Sequence, residues 1–433
     1  MMKRLRMTTM RRWMLLGLTG IAFACCAIPA AARHKKAAGT SPEKPAITAS
    51  QPPAFSIPVE TLGFSAPGAF YEGQRESLVS LDFVDEDRLL FTFRAPGLLR
   101  RTSGENKPRQ IRAVLLDLPK GTVEAEALWT IHGDGRYLWM LDGGRFLLRD
   151  DDLLKQGDAT LDLKPLLHFP GPLEWLEMDP GQQYLVTGSR EPANAKAQAG
   201  TVPSPTSAAA NVEQNEPRRD DAPEIVLRIL RRSSGQVMLV SRVRTVVHLP
   251  ISEDGYLETL RMNAREWMLN LNFFTGGSRL LGRVSSVCSP PLEFLSRDVA
   301  LANTCLPQGG RDLVALSGDG RRMWDAPAPP TQVWPLLVPS LGGTRLARET
   351  LMVSHAVEPF APLSFDDVTG QLVEVFDTAT GRTLLKAPAS PVLDGGGNVA
   401  LSPAGRWAAV LNGSAIEVYD LTAMGAATVP KGM

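Results

Sequence analysis

Histidine is scarce in this sequence, with five among 433 residues, and so is cysteine, with four. Little imidazole is therefore on offer for metal ligation or general-base work. No His-x-x-x-His pair, no Gly-x-Ser-x-Gly elbow and no EF-hand spacing occurs either. Only one hydrophobic run is long, from Trp13 to Ile28, and it falls short of the roughly 20 apolar residues that span a bilayer. An excess of one charge is also missing, since 46 basic residues balance 46 acidic ones. That excludes the strongly basic surface a phosphate backbone requires. Helical periodicity is nearly absent after residue 55.

What is there begins with a leader-like segment. Lys3, Arg4, Arg6, Arg11 and Arg12 precede the apolar run, and Ala30-Ala31-Ala32 supplies the small residues a signal peptidase accepts. Residues 1–32 are expected to be a secretory signal peptide and not an anchor. Arg11-Arg12 fits a twin-arginine motif poorly, and neither Cys25 nor Cys26 has the Leu three residues earlier that lipidation needs. The expected location is periplasmic or extracellular. The first 32 residues hold five basic and no acidic ones. The mature chain then carries 41 basic against 46 acidic residues, about −5, which argues against a nucleic-acid partner. No membrane span and a monomer are expected. Residues 33–54, rich in Ala, Pro, Ser and Lys, read as a disordered spacer, and 424–433 as a C-terminal tail.

Cys25 and Cys26 leave with the signal, so Cys288 and Cys305 remain. In an oxidising compartment two cysteines point to one disulfide, with two buried free thiols as the other reading. A metal site is disfavoured, because no His or third Cys is near in sequence. If strands pair antiparallel around Arg297-Asp298, Cys305 faces about Pro290, two residues from Cys288.

Short strand-like runs separated by Gly-containing turns fill the chain from Phe55 onward, and they repeat. The clearest unit is the last. Val399-Ala-Leu-Ser-Pro-Ala-Gly405 is a strand ending in a tight turn, Arg406 to Gly413 a second, and Ala415-Ile-Glu-Val-Tyr-Asp-Leu421 a third. This unit resembles one blade of a WD40-like (YVTN-type) repeat, and the resemblance implies an all-β, seven-bladed β-propeller over 55–423, with six or eight blades as alternatives.

Naming the strands of each blade A to D from the axis outward, A meets B at Val84–Asp87, His132–Gly135, Met178–Gly181, Ser252–Gly255, Arg297-Asp298 and Leu341–Gly343. Blade 5 reads as the least regular. The last blade lacks an outer strand, and Phe55–Leu62 is an orphan strand-like segment. It is expected to close the ring as strand D of blade 7. Pro58 suits that outermost place, since proline cannot donate to a ladder. Three stretches break the rhythm: 95–110, 191–222 (a disordered insertion) and 355–370. Without them about 44 residues remain per blade, within the ~40–45 of such repeats. All three fall between B and C, hence on one face, the expected contact surface.

Candidates for chemistry are few. His132, His168 and His248 read as turn or strand histidines. His355, which starts the third insertion near Asp366-Asp367, is the best placed of the four. Asp150-Asp151-Asp152 reads as a solvated C–D turn before it reads as a calcium site. Trp129, Trp139, Trp175, Trp267, Trp324, Trp334 and Trp407 read as inter-blade filling and not as a quinone cofactor. Asn412-Gly-Ser414 matches a glycosylation sequon but lies in a B–C turn. No catalytic, cofactor-binding or metal residue is assigned. The expected function is an exported, non-catalytic propeller presenting a loop-rich face to a protein or cell-surface ligand. The alternative is an enzyme resembling propeller lactonases or quinone-dependent proteins, with its site near the central channel.

Overall fold

Strands apolar at successive positions, such as Arg88–Arg94 and Trp407–Asn412, have two faces to bury and need covering on both sides. In the computed structural model, which describes residues 48–66, 78–95, 108–118, 120–133, 135–191, 224–243, 248–358, 363–393 and 395–422, they form seven antiparallel sheets. Blade 1 comprises Ser80–Phe83, Arg88–Arg94, Arg109–Asp117 and Thr122–Ile131, and blade 2 Leu138–Leu141, Arg145–Asp150, Leu153–Asp158 and Lys164–His168. Blade 3 comprises Leu173–Met178, Tyr184–Glu191, Glu224–Arg231 and Val237–Val243. Blade 4 comprises Gly255–Arg261, Glu266–Phe273 and Ser278–Ser285. Blade 5 comprises Leu292–Ser296, Val299–Cys305, Arg311–Ser317 and Arg322–Ala328, and blade 6 Gln332–Pro339, Arg345–Val353, Val368–Asp377 and Thr383–Ala389. Blade 7 comprises Val399–Leu401, Trp407–Asn412 and Ala415–Asp420, completed by Phe55–Pro58 from the other end of the chain.

The sheets close into a ring because each packs on the next. Leu115 and Trp129 of blade 1 meet Phe146 and Leu148 of blade 2. Leu147 and Leu154 meet Leu176 and Leu185 between blades 2 and 3. Tyr184 and Ile229 meet Ile251 between blades 3 and 4, and Leu269 and Leu281 meet Ala302 and Val314 between blades 4 and 5. Trp324 meets Phe376 between blades 5 and 6, Val375 meets Tyr419 between 6 and 7, and Ile57 and Ile416 meet Leu81 and Phe91 between 7 and 1. Seven sheets share seven such contacts, and that ends the six-or-eight alternative.

Two glycines mark where neighbouring backbones come too close for a side chain. At Gly397 (φ +107°) a Cβ would stand 2.1 Å from the Val79 carbonyl oxygen, where blade 7 meets blade 1. At Gly320 (φ +88°) it would stand 1.8 Å from that of Leu281.

The closing strand pairs Phe55 with Val418 and Pro58 with Ala415, antiparallel and outermost. It is shorter than the segment 55–62 expected from sequence, because Glu60–Leu62 turns into one 3-10 turn ended by Gly63 in the left-handed region. The chain ahead of it is also engaged. The Ser50 N–H donates to the Lys386 carbonyl at 2.8 Å, so the tail end of the expected spacer lies on blade 6.

Two readings of the repeat need correction. Blade 5 is regular. Blade 4 is the reduced one, its inner strand represented among the described residues by an Ile251–Tyr256 bridge. In blade 2 the expected strands were one place out of step. Thr122–Ile131 is strand D of blade 1, so His132–Gly135 is a D–A connection and the A–B turn falls at Asp142–Gly144. The tight glycine turn looks the same at both places, which is why spacing alone misassigned it. Signal, tail and most of 191–222 lie outside the described residues. No helix among the described residues is long and apolar enough to cross a membrane.

Candidate functional site

In a four-stranded antiparallel blade the B–C and D–A connections emerge on one face and the A–B and C–D turns on the other. Strands B and C flank residues 95–108, 192–223 and 354–367 in blades 1, 3 and 6, so all three long connections leave the same face. The Cys288–Cys305 disulfide stands on that face. It ties the D–A connection ahead of blade 5 to the end of that blade's strand B, with Cα atoms 5.5 Å apart. The Cys305 N–H also donates to Ser286 Oγ at 2.9 Å, and the Val287 N–H to the Cys305 carbonyl at 3.1 Å. Cys305 pairs with Arg311 across the B–C hairpin, so the bridge braces the base of the hairpin that starts strand C.

Beside that hairpin lies a shallow cleft between blades 5 and 6, lined by Gly310, Arg311, Pro330, Gln332, Val333, Trp334, Val357 and Glu358. Three connections build it: the blade 5 B–C hairpin, the Pro329–Thr331 passage into blade 6, and the start of the blade 6 insertion. The Val357 N–H donates to the Pro330 carbonyl at 3.1 Å and holds the last two together. Trp334 corrects the expectation that the tryptophans fill inter-blade space. Trp129, Trp139, Trp175 and Trp324 are buried, but Trp334 is 41% exposed. Its φ of +48° is rare for a bulky residue. It accompanies a bulge between Val333 and Leu336 that turns the ring out of the blade.

A second group of polar residues gathers on the innermost strands around the axis. Asp82 comes from blade 1, Arg136 from the approach to blade 2, Glu177 from blade 3, His248 from the approach to blade 4 and Glu293 from blade 5. Burial pushes the Asp82 carboxyl up to about 6, against the hydrogen bond from Ser80 and the Arg136 cation. Burial, reinforced by Glu177, pushes Glu293 to about 7, with Arg136 opposing. His248 Nδ1 lies 2.5 Å from Glu177 Oε1, and that bond outweighs burial and raises the imidazole. Such a set can hold and release protons near neutrality. It was invisible in sequence because each member comes from a different blade.

The other expected candidates are occupied structurally. His132 Nδ1 lies 2.8 Å from Asp150 Oδ1, and Lys155 Nζ 2.6 Å from Asp150 Oδ2. His168 Nε2 lies 3.1 Å from Asp152 Oδ2. The acidic triplet is therefore a B–C turn engaged by Lys155 and His168 of its own blade and by His132 of the neighbouring connection, and not the C–D turn expected. His355 Nδ1 stands 3.8 Å from Asp367, across the blade 6 insertion. Among the described residues no group of His, Cys, Asp or Glu is spaced to hold a metal ion. Asn412 of the sequon is engaged with Ser390 and Glu417.

Glu349 on strand B of blade 6 carries a pH prediction. It is 1% exposed, accepts from Gln371 Nε2 at 2.6 Å, and its second oxygen has no partner. Burial pushes its carboxyl from 4.5 to about 8. The folded state thus keeps a proton that the unfolded chain has released. Stability is full below the unfolded value and falls as pH rises from about 4.5 toward 8, by about 1.4 kcal/mol for each unit of separation. Glu349→Gln keeps the acceptor for Gln371 and removes the titration. Its melting temperature is expected to match the parent near pH 4.5 and exceed it by several degrees at pH 8. Parallel pH profiles in thermal melts would refute this.

No family model matches the sequence, and no curated protein is similar to it. Among solved structures the chain is similar to an acylaminoacyl peptidase of Pyrococcus horikoshii, with a TM-score of 0.45 and 9% identity over 76% of this chain and 48% of that one. It is also similar to the C-terminal WD40 domain of Sif2 (0.37, 11%, over 79% and 95%) and to a chain of the mitotic checkpoint complex (0.41, 10%, over 94% and 99%). The chain spans about half the length of the peptidase it matches. These likenesses concern the fold alone, and the seven blades of the β-propeller are read from this chain's own sheets.

Proposed function

We propose that this chain is an exported, non-catalytic β-propeller that binds a protein or cell-surface ligand through its loop-bearing face, in the periplasm or outside the cell. The observation that carries the reading is the gathering of the three long B–C connections on the face where the Arg311–Trp334 cleft opens. Loops on a rigid scaffold are where binding concentrates. Export rests on the basic, apolar and small-residue order of the first 32 residues, and a bonded Cys288–Cys305 pair suits an oxidising compartment. We also propose a monomer, because the blades pack on one another around the ring and leave only short outer edges.

The test places a photo-crosslinking residue at Gln308 on the loop-bearing face or at Asp319 on the opposite face, both exposed and both in blade 5, in the cells that make the protein. Adducts confined to Gln308, on a chain processed after Ala32 and recovered from the envelope, are expected. Adducts confined to Asp319, or an unprocessed chain in the cytosol, would overturn the reading. The channel residues Asp82, Arg136 and Glu293 favour a second reading, an enzyme with its chemistry at the axis. Turnover abolished by Glu293→Gln while Gln308 adducts persist would decide for it.

A further inference from the structure

The cleft between blades 5 and 6 holds a cation, Arg311, that forms no ion pair among the described residues, although Glu358 lines the same cleft. Arg311 is half-buried, and its guanidinium has no hydrogen-bond or ion-pair partner among the described residues. Other arginines withdrawn from solvent are committed. Arg348 is held by Glu374 and the Ala326 carbonyl, Arg228 by Glu191 and Ser189, and Arg345 by Asp377. A guanidinium partly removed from water is unfavourable without an anion. Its planar fork matches a carboxylate in two parallel hydrogen bonds.

The surroundings narrow the ligand. The cleft admits one side-chain group and is too shallow to enclose a separate small molecule. Gln332, whose Oε1 is buried without a partner, also lines the cleft. Trp334 presents an exposed aromatic face beside it, continued by Pro330 and Val357. Glu358 at the same cleft repels a second acid.

Resting on the reading of this face as the contact surface, we propose that Arg311 receives the carboxylate of a single Glu or Asp side chain presented by a partner protein, whose adjacent apolar residue lies on Trp334.

The test uses the full mature chain and two probe peptides, acetyl-Gly-Gly-Leu-Glu-Leu-Gly-Gly-amide and its Gln counterpart, titrated calorimetrically at low salt. The Glu peptide is expected to bind at least about tenfold more tightly. Arg311→Met should erase that difference with an unchanged melting temperature, because an apolar chain of similar length fills the same space. Arg311→Lys should keep part of it, Trp334→Ala should weaken both peptides, and Glu358→Gln should strengthen the Glu peptide. Equal binding of the two peptides, a preference that survives Arg311→Met, or displacement by acetate at equal concentration would overturn the proposal. Gln308 adducts formed at full yield by the Arg311→Met chain would leave the contact face standing and remove the carboxylate contact. Loss of Gln308 adducts from the parent itself would remove the face.

Discussion

A chain from which Phe55–Pro58 has been deleted is expected to melt at least about 10 °C lower than the parent and to aggregate on warming. The reason lies in what that strand covers. Ala54 and Val59 donate to the Val418 and Ser414 carbonyls at 2.7 and 2.9 Å, bracketing the paired residues. Ile57 and Val59 are 3% and 2% exposed, packed with Leu81, Phe91, Val114 and Ile416. Burying two such side chains is worth about 1.5–3 kcal/mol each. The strand's hydrogen bonds add about 0.5–1.5 kcal/mol apiece. Deletion also leaves Ala415–Asp420 as an open sheet edge at the one place where the ring is joined without a continuous chain. Scanning calorimetry with size exclusion checks the effect, and a peptide spanning 54–64 added in trans should restore part of the lost melting temperature. A melt within about 2 °C of the parent would show that blade 7 stands without its fourth strand.

The second large effect is expected at Arg348 and Glu374, on adjacent strands of blade 6. Arg348 Nη2 lies 2.6 Å from Glu374 Oε2, with side chains 5% and 4% exposed. The guanidinium also donates to the Ala326 carbonyl of blade 5 and lies 5.0 Å from the Phe376 ring centroid. Burial pushes the Glu374 carboxyl up, but Arg348 and Lys386 together outweigh it and hold the group below its ordinary value. Removing either partner strands a charge in the blade 5–6 interface, so Arg348→Met and Glu374→Gln are each expected to cost about 3–5 kcal/mol. The double substitution with two methionines should recover most of that, because desolvation of both charges disappears with them. Additive losses in chemical denaturation would contradict the coupling. The pH sign is opposite to that of Glu349. The contribution from Glu374 is present above the unfolded value and is lost as pH falls through the depressed folded one.

These two acids show what local pattern can and cannot say. Glu349 and Glu374 are both glutamates on interior strands of one sheet, and nothing in their neighbours along the chain separates them. One faces blade 7 without a cation and is held neutral, whereas the other faces blade 5 against Arg348 and is held charged. The difference comes from which neighbouring blade each strand face meets. Trp334 has the same origin. Its flanking residues read as strand, and the bulge that expels it depends on its pairing with strand B.

Outside blade 2, the order of strands and the turns that reverse them were legible along the chain, as were the N-terminal segment that closes the ring and the sequence separation of Cys288 and Cys305. Each depends on side-chain alternation, on glycine's access to positive φ, or on short-range register. The sequence by itself also carried the scarcity of histidine and cysteine and the three interruptions between strands B and C. Only the tertiary structure decided the blade count, moved the irregularity from blade 5 to blade 4 and shifted His132 to the loop-bearing face. It alone gathered Asp82, Arg136, Glu177, His248 and Glu293 at the axis and set Arg311 beside Trp334. Those placements join residues from different blades. The separation between them is fixed by how seven twisted sheets pack around a ring, a long-range constraint that no local spacing encodes.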